Sequence, residues 1–181
     1  MGKLLAIYGS PRENGRSEKA LNILLKNVEA ERLYIRNKNI KPCSGCLECS
    51  RNGICNIKDD MEEVIPSLIS SDIIILSSPV YFKGIPSHLK AMIDRCQVLW
   101  NRKIEKKALG FFILTCEKKE NFPGCIDVIR AFFATIGARL IDGIILRDDE
   151  PLESLKQTIA SQSWLSKAQK LALARFSPNK I

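Results

Sequence analysis

The sequence predicts an α/β fold, a doubly wound five-stranded parallel sheet with helices on both faces. Two patterns carry this expectation. Short apolar runs alternate with segments of helical period along the chain, and three of the runs are apolar on consecutive positions, as parallel strands covered on both faces must be. Size is the third observation: 181 residues with 45% hydrophobic content suffice for one substantial core and leave little room for two, so residues 1–181 are expected to form a single domain.

The elements follow in order. LLAIY at 4–8 is the first strand, and Ala20, Leu21, Leu24, Leu25 and Val28 then recur at helical spacing, giving a helix with one buried stripe. RLYI at 32–35 is the second strand. Beyond a cysteine-rich segment, Met61, Val64, Ile65, Leu68 and Ile69 form the next stripe, with Asp60 expected as N-cap, Glu63 as its capping-box partner and Pro66 expected to kink or shorten the helix. DIIILSS at 72–78 is the third strand, followed by a stripe of Leu89, Met92, Ile93 and Cys96. ALGFFILT at 108–115 precedes the helical CIDVIRAFFATIG, which Gly137 stops. RLIDGIIL at 139–146 is the fifth strand, and the tail at 151–176, with Leu152, Leu155, Ile159 and Ala168, is expected to be the last helix. No repeat, low-complexity tract or linker interrupts the pattern.

Composition narrows the function. Lys3 opens the first apolar run with no basic leader, long apolar stretch or small-residue cleavage site, so the expectation is a cytoplasmic protein with no membrane association. The formal charge is +8, but Lys and Arg are scattered, without a basic block or interleaved aromatics for base stacking, which argues against nucleic acid. The charge suits a lysine-rich surface that attracts phosphorylated cofactors or an acidic protein. Seven cysteines in a reducing compartment direct attention to metal or redox chemistry instead of a disulfide framework.

In a doubly wound sheet, ligands bind at the carboxyl ends of the strands, and two motifs stand there. After the first strand, GSPRENGRS offers Gly9 for a tight turn, the hydroxyls of Ser10 and Ser17, the guanidinium of Arg12 and a helix start with free N–H groups at Ser17. Lacking the glycine spacing of a dinucleotide fingerprint and the Gly-Lys-Ser/Thr of a triphosphate loop, it suits a monophosphate. After the third strand, SSPVYFKGIPSHLKAMIDR has Pro79 and Pro86 to stiffen the loop, Gly84 for close backbone approach, and Tyr81 and Phe82 to pack against a flat ring. His88, the sole histidine, is expected on the surface at a helix start and not as a catalyst.

Together these motifs resemble the flavodoxin-like NAD(P)H-dependent FMN reductases, and with CSGCLECSRNGICNIKDDM the chain resembles their iron-sulfur flavoprotein branch, from Lys3 to about Cys96. The resemblance implies that Ser10, Arg12, Asn14 and Ser17 hold the FMN phosphate, that Pro79, Val80, Tyr81, Phe82 and Gly84 line the flavin ring, and that Cys43, Cys46, Cys49 and Cys55 ligate a [4Fe-4S] cluster. It further implies a homodimer or homotetramer, with NAD(P)H, ferredoxin, a quinone or oxygen species as electron partners.

The cysteine spacing bears on the cluster independently. Three thiols with two residues between neighbours and a fourth after five let one compact loop wrap a cubane whose irons all take thiolate. Zinc is the rival, although its structural sites usually space two Cys-x-x-Cys knuckles further apart, and a flavin-only relative that keeps the thiols is another. The second half departs from the family pattern. Where members carry a glycine-rich third loop, this chain reads TCEKKENFPGC, so Thr115, Cys116 and Glu117 are placed beside the flavin while a donor other than NAD(P)H gains ground. Cys96 and Cys116 read as buried filler, and Cys125, at a helix start, as a thiol that burial would silence.

Overall fold

Five parallel strands lie in the order β2-β1-β3-β4-β5, with β1 at Leu4–Tyr8, β2 at Glu31–Tyr34, β3 at Ile73–Pro79, β4 at Ala108–Cys116 and β5 at Ala138–Arg147. The computed structural model describes residues 3–102, 104–105, 108–117 and 122–152. The helices are α1 (Arg16–Leu24), α2 (Glu48–Asn52), α3 (Met61–Ser70), α4 (Ser87–Arg95) and α5 (Pro123–Thr135).

The central strands are buried almost throughout, which explains their continuous apolar runs. Their two-residue period sends Leu5, Ile7, Ile74, Leu76, Phe112 and Leu114 into a core layer under α3, α4 and α5, and Leu4, Ala6, Tyr8, Ile73, Ile75 and Phe111 into a layer under α1. This is the doubly wound, flavodoxin-like α/β arrangement, with the reversal of strand order between β1 and β3.

Local departures have local causes. Ile35 leaves the second strand for a 3-10 turn at Ile35–Asn37 yet stays in the core, so its apolar signal is real but not a strand signal. Asp60 does not cap α3 with its side chain: its carboxylate accepts the Asn39 N–H at 2.9 Å, Glu63 pairs with Lys38, and Asp59 receives the Met61 N–H at 3.1 Å. The leading arm of the cysteine loop, at Asn39, thus competes for the expected cap. Pro66 neither ends nor shortens α3 at that point, because burial of Met61, Val64 and Leu68 carries the helix on to Ser70 although the Glu62 carbonyl loses its N–H partner. The fifth helix starts two residues early, at Pro123, whose fixed φ suits a first helical turn, and stops before Gly137 at φ 71°. Pairing between β4 and β5 shifts by one residue, from Gly110 opposite Leu140 to Phe111 opposite Asp142. Beyond Leu152, the expected final helix lies outside the described residues. Among the described residues, no helix is long and apolar enough to cross a membrane.

Candidate functional site

At the carboxyl ends of β1, β3 and β4 opens a cavity of about 500 Å³, lined by Ser10, Arg12, Gly15, Arg16, Ser17, Pro79, Val80, Tyr81, Thr115, Cys116, Glu117 and Asp148. The sheet builds it from below. Gly9 N–H donates to the Ser77 carbonyl at 2.7 Å, and the Ser77 hydroxyl donates to the Ser17 carbonyl at 2.7 Å, so one residue of β3 fastens both ends of the β1–α1 loop. Gly9 is needed for a close approach, not for a turn: a Cβ there would lie 2.5 Å from Leu89 Cδ2 of α4. Ser10, buried, closes the loop by accepting the Arg12 N–H at 3.1 Å and donating to the Arg12 carbonyl at 2.9 Å.

The helix begins at Arg16, one residue before the expected Ser17, and its start, whose leading N–H groups have no partner within the helix, lines the cavity. Arg12 spans the mouth: its Nε and Nη2 donate to the Tyr81 hydroxyl at 3.3 and 3.0 Å, joining the two motif loops. Arg16 and Asp148 escaped the sequence analysis. The Arg16 Nη2 donates to the Glu150 carbonyl, its Nε lies 3.8 Å from Asp148, and that Nε is buried without a hydrogen-bond partner. Only the fold brings the exit of β5 to the start of α1; the RDDE run at 147–150 was the available signal.

Three expected residues lie off the cavity wall. Asn14 is exposed in a left-handed turn (φ 54°) that redirects the chain into α1. Tyr81 and Gly84 exchange two backbone hydrogen bonds of 2.8 Å, which places Phe82 (φ 49°) and Lys83 (φ 62°) at the tip of a tight hairpin. Phe82 is therefore fully exposed, and Gly84 serves the hairpin instead of the cavity wall. His88 also differs from expectation. It starts α4 as foreseen but is half-buried against the Gly9 backbone, its Nε2 has no partner, and burial pulls its pKa below the ordinary value.

The cysteine loop is held by other means. Cys43 and Cys46 are exposed, while Cys49 packs against the core beneath and Cys55 is half-buried; all four are free thiols. Gly45, Leu47 and Gly53 take positive φ values and wind the segment around α2. The loop is pinned to the end of α4 by Arg95, whose guanidinium donates to the carbonyls of Lys41 and Ile57 and forks onto both oxygens of Asp59 at 2.6 and 3.1 Å. Burial pushes the Asp59 carboxyl up, but the Arg95 hydrogen bonds, with the Lys41 and Met61 amides, outweigh it and hold it below the ordinary range. Arg102 adds a bond to the Gly53 carbonyl. The Glu48 amide and the Ser44 hydroxyl hold the Cys46 thiol below its usual pKa. Among the described residues, no three His, Cys, Asp or Glu side chains converge as a metal site. The donor set nonetheless fits an iron-sulfur cluster in chemistry: four free thiols within thirteen residues, on a loop closed at its base by a buried arginine. Elsewhere, burial raises the Cys96 thiol to about 12 and Cys125 to about 11, which leaves both inert, and buried Cys116 donates to the Leu146 carbonyl.

Comparison with known proteins agrees with this layout. Residues 2–144 match the family model described as NADPH-dependent FMN reductase. An iron-sulfur flavoprotein of Archaeoglobus fulgidus is 39% identical over 167 residues, 86% of this chain and 76% of that protein. Another, of Methanocaldococcus jannaschii, is 38% identical over 102 residues, which is 54% of this chain and about half (53%) of the relative. In three dimensions the chain is similar to a WrbA-like flavodoxin of Agrobacterium tumefaciens, with TM-score 0.64 at 12% identity over 95% of this chain and 98% of that one. The chain belongs to the NADPH-dependent FMN reductase family, in the branch of the iron-sulfur flavoproteins, and is a flavin-dependent oxidoreductase.

Proposed function

We propose that the protein is an electron-transfer flavoprotein that carries FMN in the strand-end cavity and a [4Fe-4S] cluster on Cys43, Cys46, Cys49 and Cys55, joining a two-electron partner to a one-electron partner. When bound, FMN takes up electrons in pairs and a cluster passes them singly. The observation that carries the proposal is the coexistence, in one chain, of a cavity rich in anion donors and a pinned loop of four free thiols. Ser10, Arg12, Ser17 and the first turn of α1 would hold the phosphate, with Arg16 adding an unused buried N–H. Pro79, Val80, Tyr81, Thr115, Cys116 and Glu117 would border the ring, and no side chain need act as acid or base.

NAD(P)H, ferredoxin, a quinone or oxygen species would serve as electron partners of a single-domain, cytoplasmic protein. The cleft beneath the cysteine loop, lined by Cys55, Arg95 and Arg102 among others, shares no residue with the strand-end cavity. The family resemblance is what supports a homodimer or homotetramer in which electrons would pass between copies. Anaerobic purification followed by iron, acid-labile sulfide and FMN assays on one sample tests the proposal. About four irons per chain with matching sulfide and flavin support it. Flavin without iron or sulfide after reconstitution leaves the second reading, a cluster-free NAD(P)H-dependent FMN or quinone reductase, which the separated thiols favour.

A further inference from the structure

We infer that Arg95 is a positioning residue for the cysteine-held metal centre, its Nε–H donating to sulfur at Cys55. The inference rests on the assignment of the four cysteines as cluster ligands.

A guanidinium has five N–H donors. Four of those on Arg95 are used: Nη1 donates to the Lys41 carbonyl at 2.9 Å and to Asp59 Oδ2 at 2.6 Å, and Nη2 to the Ile57 carbonyl at 3.0 Å and to Asp59 Oδ1 at 3.1 Å. The partners come from both arms of the loop, before Cys43 and after Cys55, so one side chain closes its base. The fifth donor, Nε, is buried with no hydrogen-bond partner, on a side chain only 1% exposed. A buried N–H left unmade is costly, and nearly all such groups in folded proteins have a partner. Cys55 and Arg95 line the same cleft, and none of the four bonds already made by this guanidinium goes to the Cys55 sulfur.

Asp59 already neutralises much of the Arg95 charge, so what the orphan donor offers is direction more than charge. A hydrogen bond to a ligand sulfur favours the more negative, reduced form of a cluster and raises its potential. The preceding helix turn supplies this donor because α4 runs on into the turn at Cys96–Leu99, whose buried Cys96, Val98 and Leu99 fix Arg95 in depth.

The test uses full-length protein reconstituted anaerobically with iron and sulfide. In protein grown on 15N-arginine, electron-nuclear double resonance of the reduced cluster should show a 15N coupling with an exchangeable proton, and a loaded protein without that coupling overturns the inference. The midpoint potential is expected to fall in both Arg95→Gln and Arg95→Lys; a wild-type potential in Arg95→Lys shows that charge alone matters and equally overturns it. If either variant fails to fold, the labelled wild-type protein still decides. Protein that takes up no iron or sulfide defeats the cluster assignment itself, and the role of Arg95 with it, which separates that failure from a loaded cluster lacking the nitrogen coupling.

Discussion

The strand-end cavity and the cysteine loop are built on opposite plans. The cavity rests on three buried strands, and its β1–α1 loop is fastened by the backbone and hydroxyl of Ser77. The cysteine loop has no ladder beneath it. Side chains do most of the holding, chiefly the fork of Arg95 onto Asp59 and the bond from Arg102, beside one backbone bond from the Asp60 N–H to the Asn39 carbonyl, and its two leading thiols are exposed. A site made by the sheet is preorganised before its ligand arrives, whereas a site made by a pinned loop needs its ligand to gather the donors. The two should therefore fail separately and by different amounts.

The largest separation is expected from Cys49→Ala. Loss of one thiolate ligand should abolish the iron and sulfide content and the cluster absorbance while flavin content stays at the wild-type level; full iron and sulfide in the variant would remove Cys49 from the ligand set. Next, Arg12→Ala acts on the other region. A charge-assisted hydrogen bond is worth about 1.5–3 kcal/mol, so FMN affinity measured by fluorescence quenching should weaken about 10- to 150-fold with iron content unchanged. Unaltered affinity would show that Arg12 serves Tyr81 rather than the phosphate.

Gly9→Ala tests the preorganised side in the absence of any ligand. Its Cβ would meet Leu89 Cδ2 at 2.5 Å, and overpacking of this kind costs about 1–3 kcal/mol, read as a lower urea midpoint of the apo-protein. A wild-type midpoint would mean that α4 yields freely at the β1–α1 loop. The smallest effect belongs to His88. Its folded pKa lies below the ordinary 6.5, so the unfolded chain binds the proton more readily, and stability is complete above pH 6.5 and declines as pH falls below it. As the sole histidine, it should give a shallow drop in melting temperature on acidification that His88→Gln removes; a slope that persists in the variant would assign it to other groups.

Much of this was legible in local sequence. Continuous burial in β1, β3 and β4 writes itself as continuous apolar runs, and the two loops at the strand ends follow from strand positions and topology. Ser10, Arg12, Ser17, Pro79 and Tyr81, which stand on those loops, line the cavity, as does Val80, which the family resemblance supplies. Phe82 stands exposed at a hairpin tip and not on the cavity wall, because side-chain direction there depends on two positive φ values that neither Phe82 nor Lys83 advertises. Asp60 was misplaced because a capping signal is local, while the competing Asn39 N–H arrives from 21 residues away.

The strands along the chain, the loops that follow them and the thiol spacing can be read from the residues alone, since each is a property of neighbouring positions. Tertiary structure alone decided that Arg95 meets Lys41, Ile57 and Asp59, that Arg16 meets Asp148 and Glu150, and that His88 is drawn against Gly9. The physical reason is the same in each case. A long or ring-bearing polar side chain is satisfied by whichever distant group the packing of helices and strands delivers to it, and no periodicity records that delivery in the chain.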